Sequence, residues 1–252
     1  MSKPSPASFA RARQLLKSAD ALVIAAGSGM SADSGLPTFR GNDGFWKAYP
    51  ALGQRGTAFA EIASPAAFHE DPRLAWGFYG HRLAMYRETP PHAGYALLRG
   101  LARTLEHGAF VVTTNVDGHF QRGGFADDLI WEMHGTLHRL QCLTPCRQET
   151  WPADGFHPEV DTRACRLRND MPRCPVCGAV ARPNVLMFGD GGWVPDLADA
   201  QQRRFEQFAE RISHPVVLEI GAGTALPSLR HLSRDRRWPV VRVNLDAPDV
   251  PV

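Results

Sequence analysis

The run Ala21-Leu22-Val23-Ile24-Ala25-Ala26 passes directly into Gly27-Ser28-Gly29-Met30-Ser31-Ala32. Six consecutive apolar residues fit a strand covered on both faces, since a half-exposed strand alternates apolar with polar residues. The residues that follow match the pattern G-x-G-x-x-G/A where a strand would turn into a helix. Glycines at such a place permit a tight turn and let backbone N–H groups approach a pyrophosphate. A plain structural turn at a strand end uses glycine in the same way, so both readings attach to Gly27, Ser28, Gly29 and Ser31.

Outward from this stretch, short apolar runs bounded by Gly, Pro or polar residues recur at Ala109–Thr113, 129–132, 185–188, 216–220 and Val240–Val243. Between them lie helical patterns at 8–18, 71–86, 92–107 and 196–212, the last carrying Phe205, Phe208 and Ile212 at helical spacing. Strands alternating with helices predict an α/β fold with an open, parallel, Rossmann-like sheet. Two stretches break the alternation: 41–89, mostly helix and loop, and 142–180, rich in Pro, Cys and Arg. Each is expected to form a smaller subdomain beside the sheet.

Composition narrows the function. The 252 residues are 44% hydrophobic and 21% charged, enough for a buried core and unlike a disordered chain. A net charge of +2 gives no strong field, so nucleic-acid binding and an anionic membrane surface are not expected partners. The apolar run 21–26 falls far short of the roughly 20 residues of a membrane span. With no apolar leader visible near Met1, the expected location is cytoplasmic. The 23 Gly and 20 Pro predict many turns and close backbone approaches.

Four of the five Cys fall into two close pairs, Cys142-x-x-x-Cys146 and Cys174-x-x-Cys177. Four thiolates so spaced suit a tetrahedral, structural zinc site better than a disulfide framework. Cys165 is either a small buried residue, a free thiol, or a replacement for Cys146 as ligand. Little apolar core is available to 142–180, so its fold is expected to depend on the metal.

Three further segments carry chemistry. Asp33-Ser34-Gly35-Leu36-Pro37-Thr38-Phe39-Arg40-Gly41 reads as a flap that closes over a ligand, with Arg40 suited to phosphate or ribose oxygens. Thr113-Thr114-Asn115-Val116-Asp117-Gly118 places an amide and a carboxylate at the carboxyl end of a strand, either for a ligand or for capping and turn formation. Glu132-Met133-His134-Gly135 places an imidazole, suited to general-base work near neutral pH, at another strand end.

Taken together, these segments resemble the sirtuins. Residues 27–41 are similar to their GAGISAESGIPTFRG motif, 113–117 to TQNID, 132–135 to ELHG, 182–190 to RPDVVWFGE, 221–225 to the GTS loop, and Val243-Asn244 to the IN pair. The resemblance runs in family order from about residue 21 to 244. It implies one catalytic domain with a Rossmann-like core (about 1–40, 91–141 and 181–252), a helical lobe (41–90) and a zinc-binding module (142–180). It also implies an NAD-dependent protein lysine deacylase whose partners are acylated-lysine proteins or peptides. NAD is then consumed as co-substrate, giving nicotinamide, O-acyl-ADP-ribose and free lysine.

On that resemblance, His134 is the general base that deprotonates a ribose hydroxyl, Asn115 holds the nicotinamide ribose or its water, and Asp117 the carboxamide. Gly27, Ser28, Gly29, Ser31, Asp33, Pro37, Thr38, Phe39, Arg40, Thr114, Gly223, Thr224, Ala225 and Asn244 complete the cofactor site. Thr114 stands where the family has Gln, Ala225 where it has Ser, and the first Cys pair has three intervening residues rather than two. Leu186, Phe188 and Gly189 lie where the substrate backbone pairs. Tyr79-x-x-Arg82, with Ala63 upstream, resembles the desuccinylase and demalonylase branch and implies removal of acetyl and acidic acyl groups. Without that likeness, Tyr79 and Arg82 read as a packed ring and a solvated cation one helical turn apart. Two other functions compete: a protein mono-ADP-ribosyltransferase, and a non-catalytic NAD-sensing module.

Overall fold

The computed structural model describes residues 5–38, 41–224, 227–245 and 247, apart from the side chains of 41–43 and 233. Its strands are β1 (Ala21–Ala26), β2 (Ala109–Thr113), β3 (Ile130–Glu132), β4 (Gly135–Cys142), β5 (Trp151–Pro152), β6 (Val160–Asp161), β7 (Arg166–Leu167), β8 (Ala181–Val185), β9 (Pro215–Ile220) and β10 (Val240–Val243). Helices α1 (Pro6–Ser18), α2 (Ser28–Ala32), α3 (Gly41–Ala48), α4 (Pro50–Gln54), α5 (Phe59–Ile62) and α6 (Pro65–Glu70) precede the long α7 (Pro72–Glu88). Helices α8 (Ala93–Ala102), α9 (His119–Arg122), α10 (Asp196–Ala209) and α11 (Ser228–Asp235) follow it.

The expected parallel sheet is present, in the order β10-β9-β1-β2-β3. All six residues of β1 are buried, and successive side chains enter different cores, as strand geometry requires. Leu22, Ile24 and Ala26 meet Tyr95 and Leu98 of α8 and the half-buried Leu15 and Leu16 of α1. Ala21, Val23 and Ala25 share the opposite core with Phe205 and Phe208 of α10 and Leu229 of α11. The helix expected over 196–212 stops at Ala209, and the N–H groups of Ser213 and His214 then donate to the Asp20 carboxylate, aiming the chain into β9. The helix expected over 92–107 stops at Ala102, with turns leading to Gly108 at φ +68°.

The apolar run at 185–188 is a correction. The strand there is β8, which ends at Val185 and runs antiparallel to β4, outside the parallel sheet. The chain leaves it because Arg182 and Asp190, whose side chains are both fully buried, form two hydrogen bonds of 2.8 Å that fold 186–190 back. Asp190 also accepts from the N–H groups of Met187 and Gly192. Strand β4 itself was hidden in the sequence by the polar residues Thr136, His138, Arg139 and Gln141.

The two stretches that interrupt the alternation share one core, containing Phe68, Trp76, Tyr79, Phe156, Leu167 and Ala181. Helix α7 is the clasp. Arg73 donates to the carbonyls of Leu167, Arg168 and Asn169, and Arg87 to those of Ala153 and Phe156. Trp76 Nε1 donates to the Ala181 carbonyl at 2.9 Å. Gly77 lies so close that a Cβ there would be 2.0 Å from the Cys165 carbonyl oxygen. Among the described residues, no helix is long and apolar enough to cross a membrane.

This clasp yields a paired prediction. Gly77→Ala overpacks a backbone contact and is expected to cost roughly 2–3 kcal/mol. In helix α8, Gly100 has open space where its Cβ would go, so Gly100→Ala is expected to gain up to about 1 kcal/mol from helix propensity. Thermal melts of the two variants should therefore move in opposite directions; a melt unchanged by Gly77→Ala would contradict the close contact.

Candidate functional site

In an open parallel sheet, ligands bind beyond the carboxyl ends of strands at the point where connections depart to opposite sides. Here that point lies between β1, whose next sheet neighbour in the chain is β2, and β9, which leads to β10. The two exits touch backbone to backbone. A Cβ on Gly29 would lie 2.6 Å from Gly221 Cα, and one on Gly27 2.7 Å from the Gly221 carbonyl oxygen. Gly221 itself sits at φ +61°, where glycine is favoured. Gly27 N–H donates to the Ile220 carbonyl and Gly29 N–H to that of Gly221.

Ser31, buried in α2, joins the glycine loop to the exit of β2. Its hydroxyl donates to Asp117 Oδ2 at 2.5 Å, accepts from Asn115 Nδ2 at 3.1 Å and lies 3.1 Å from the Tyr95 hydroxyl. Asn115 Nδ2 also donates to the Gly27 carbonyl at 3.0 Å. The second Asp117 oxygen accepts from the His119 N–H, and the Asp117 carbonyl lies 2.9 Å from His138 Nε2. The structure thus brings Gly27, Ser31, Asn115 and Asp117 into one buried polar hub. Thr114 is half-buried beside it, its N–H donating to the Ala26 carbonyl.

His134 follows β3, the neighbour of β2, so its place is on the same edge of the sheet. It is half-buried, and burial pushes its pKa below the ordinary imidazole value, leaving a neutral ring at pH 7. Its carbonyl accepts from Leu186 N–H at 2.9 Å, which ties the 186–189 segment to this edge. Phe188 N–H donates to the Ala63 carbonyl at 2.9 Å, so that segment runs between His134 and the α5–α6 junction. Val185 and Met187 are buried, whereas Leu186 and Phe188 are exposed and Gly189 turns at φ +65°.

Tyr79 and Arg82 are both buried, so the reading of Arg82 as a solvated cation is wrong. The Arg82 guanidinium carbon lies 5.2, 5.7 and 5.4 Å from the ring centres of Phe78, Tyr79 and Tyr86, and Nε donates to the Tyr86 hydroxyl at 3.0 Å. Burial pushes the Tyr79 hydroxyl up to about 12, so it remains a neutral hydrogen-bond donor.

At the far end of the edge, Gly223 and Thr224 are exposed, and Asn244 Nδ2 donates to the Ala222 carbonyl at 2.8 Å. Ser28 and Asp33 are exposed on and just beyond α2, with Pro37 and Thr38 half-buried. Phe39, Arg40 and Ala225 lie outside the described residues.

The sulfur atoms of Cys142, Cys146, Cys174 and Cys177 all lie within 4.8 Å of one another, with pairs at 3.6 and 3.5 Å. A tetrahedral zinc with Zn–S of about 2.3 Å needs sulfurs roughly 3.8 Å apart, so these four cysteines are positioned to bind a structural zinc. Cys165 is elsewhere, buried against α7 in the β6–β7 turn, and burial pushes its thiol up to about 12. Cys146, and not Cys165, is the fourth sulfur. Cys146→Ser is therefore expected to lower the zinc content per chain, measured by elemental analysis, and Cys165→Ser to leave it near one.

Two contributors went unnoticed in the sequence. Tyr95 reaches the hub from α8, and a lone Tyr in an ordinary helical pattern offers no signal for that. Glu132 is buried at the end of β3, with Gln201 of α10 accepting from its N–H at 2.9 Å. Burial pushes the Glu132 carboxyl up to about 7, against hydrogen bonds from Gln201, Thr136 and Gln121 that favour its charged form. The folded state therefore holds a proton that the unfolded chain releases near pH 4.5, and stability contributed by this group falls as pH rises from about 4.5 to 7. Glu132→Gln removes the effect. Its stability relative to wild type is expected to rise across that window by up to about 3 kcal/mol, measured by denaturant titration at several pH values; a constant difference would contradict the assignment.

Residues 27–218 match the Sir2 family. The chain is 36% identical over 241 residues to the NAD-dependent protein deacylase 1 of Pseudomonas aeruginosa, covering 92% of this chain and 85% of that protein. It is 32% identical over 235 residues to the NAD-dependent protein deacylase of Pyrococcus furiosus, covering 92% and 84%. A Sir2 homologue solved as an NAD complex superposes with a TM-score of 0.70 at 27% identity, covering 93% of this chain and 82% of that one. The parallel sheet is the fold shared with that homologue, and the chain belongs to the Sir2 family.

Proposed function

We propose that this chain is an NAD-dependent protein lysine deacylase. The observation that carries the reading is the assembly at one sheet edge of Ser31, Asn115 and Asp117 with a neutral His134, whose backbone holds the 186–189 segment. Its relatives named as NAD-dependent protein deacylases support the same activity.

NAD, when bound, supplies a ribose carbon carrying nicotinamide as a cationic leaving group. The protein's part is position and proton transfer. The loop at Gly27 and Gly29 would stand beside the pyrophosphate, Asn115 and Asp117 would orient the nicotinamide ribose and carboxamide, and Gly223, Thr224 and Asn244 would hold the adenosine end. His134, kept neutral by burial, accepts the proton of a ribose hydroxyl. One water is consumed as the nicotinamide–ribose bond and the acyl–nitrogen bond to lysine break and an acyl–oxygen bond to the ribose forms, so the products are nicotinamide, O-acyl-ADP-ribose and free lysine. The substrate backbone lies along 186–188, whose N–H groups are held by His134, Asp190 and Ala63, so the segment offers it main-chain carbonyl acceptors and recognises many sequences.

The acyl group is selected by Ala63, Tyr79 and Arg82. A buried guanidinium among three aromatic rings favours an anionic acyl end, because a carboxylate meets the Arg fork and the neutral Tyr79 hydroxyl together. Malonyl and succinyl groups therefore join acetyl as substrates.

Mass spectrometry of matched acetyl-, malonyl- and succinyl-lysine peptides incubated with NAD tests both levels. Wild type is expected to release all three acyl groups, acidic ones faster, while His134→Ala loses activity by 10²-fold or more. Arg82→Met should slow malonyl and succinyl removal at least tenfold more than acetyl removal. An equal loss on all three would overturn the acyl assignment. Peptides left acylated while protein gains ADP-ribose would replace deacylation by mono-ADP-ribosyl transfer.

A further inference from the structure

We propose that Arg230 is a positioning residue for the nucleotide end of the site, acting through the loop after β9; the inference rests on the reading of that edge as an NAD site. Glu219 is the anomaly that leads to it. In β9 it is fully buried on the face it shares with Val217, and a carboxylate there must be paired. Its cross-strand neighbour Arg242 supplies the pairing, with Nε at 2.6 Å and a terminal nitrogen at 3.1 Å.

Arg230, from α11 on the same face, approaches the same carboxylate only to 3.8 Å. Its Nε is buried and makes no hydrogen bond among the described residues. What the guanidinium does reach is backbone: one terminal nitrogen donates to the carbonyls of Ala222, at 3.4 Å, and Ala247, at 3.3 Å. Asn244 closes the ring, donating to the Ala222 carbonyl at 2.8 Å and accepting from the Ala247 N–H at 3.1 Å.

Glu219 thus attracts a second cation that it does not bond, and that cation fastens the β9 exit to the β10 exit. Gly223 and Thr224 follow Ala222 directly and are exposed. Arg230 fixes where their backbone stands without itself meeting the nucleotide.

Calorimetric titration with ADP-ribose of wild type, Arg230→Met and Arg230→Lys tests this, with acyl-lysine peptide affinity measured on the same preparations. Arg230→Met is expected to weaken ADP-ribose binding about tenfold, with a matching rise in KM for NAD, and to leave kcat and peptide affinity unchanged. Arg230→Lys keeps the charge but not the fork, and should recover part of the loss. If Arg230→Met does not fold, Arg230→Lys decides by a loss of about threefold. Unchanged ADP-ribose affinity in the folded variants, or a parallel fall in peptide affinity, would overturn the proposal. A wild type that binds ADP-ribose yet removes no acyl group defeats the deacylase reading instead, and the binding comparison still judges Arg230.

Discussion

The exits of β1 and β9 meet with no side chain between them, and the rest of the site is built on that contact. A single methyl at Gly29 would fall 2.6 Å from Gly221 Cα, so the loops would have to part. Their closeness brings the start of α2 over the carboxyl edge of the sheet, and α2 brings Ser31 to Asn115 and Asp117. The hub then spans two strand exits through side chains whose polar atoms are paired in a low-dielectric setting. Such pairing fixes their orientation before any ligand arrives, which is what positional catalysis asks of a site.

A second constraint acts from the far side. In the β4–β8 pair, Cys142 stands opposite Ala181 at one end, and Gly135 opposite Val185 at the other. The four-cysteine cluster therefore stands at one end of a strand pair whose register shifts between Thr136 and Leu140 and whose other end leads to His134 and Leu186. Slipping that register by one residue would turn every side chain of β8 to the other face. The four-cysteine cluster and the candidate site thus lie at two ends of one strand pair. Helix α7 joins them laterally, holding residues 153–169 by its Arg73, Gly77 and Arg87 while presenting Tyr79 and Arg82.

The parallel sheet was legible because full burial writes continuous apolar runs, as at 21–26 and 109–113. The glycine loop, Asn115, Asp117, His134 and the paired cysteines were legible because chemistry or backbone geometry restricts residue type there. Strand β4 was not, since its pattern mixes Thr136, His138 and Arg139 with Leu137 and Leu140. The end of β8 was misjudged because a buried ion pair between Arg182 and Asp190, eight residues apart, overrides an apolar run. Tyr95, Glu132 and Glu219 act through contacts made only in three dimensions: each reads locally as an ordinary helix or strand residue.

An edge built in this way would couple cleavage of NAD to removal of an acyl group from lysine. The most direct measurement counts both products in one reaction, nicotinamide released and lysine side chains freed, with and without an acyl-lysine peptide. Coupling gives one nicotinamide per freed lysine and negligible nicotinamide without peptide. Steady nicotinamide release that leaves the peptide acylated would contradict it.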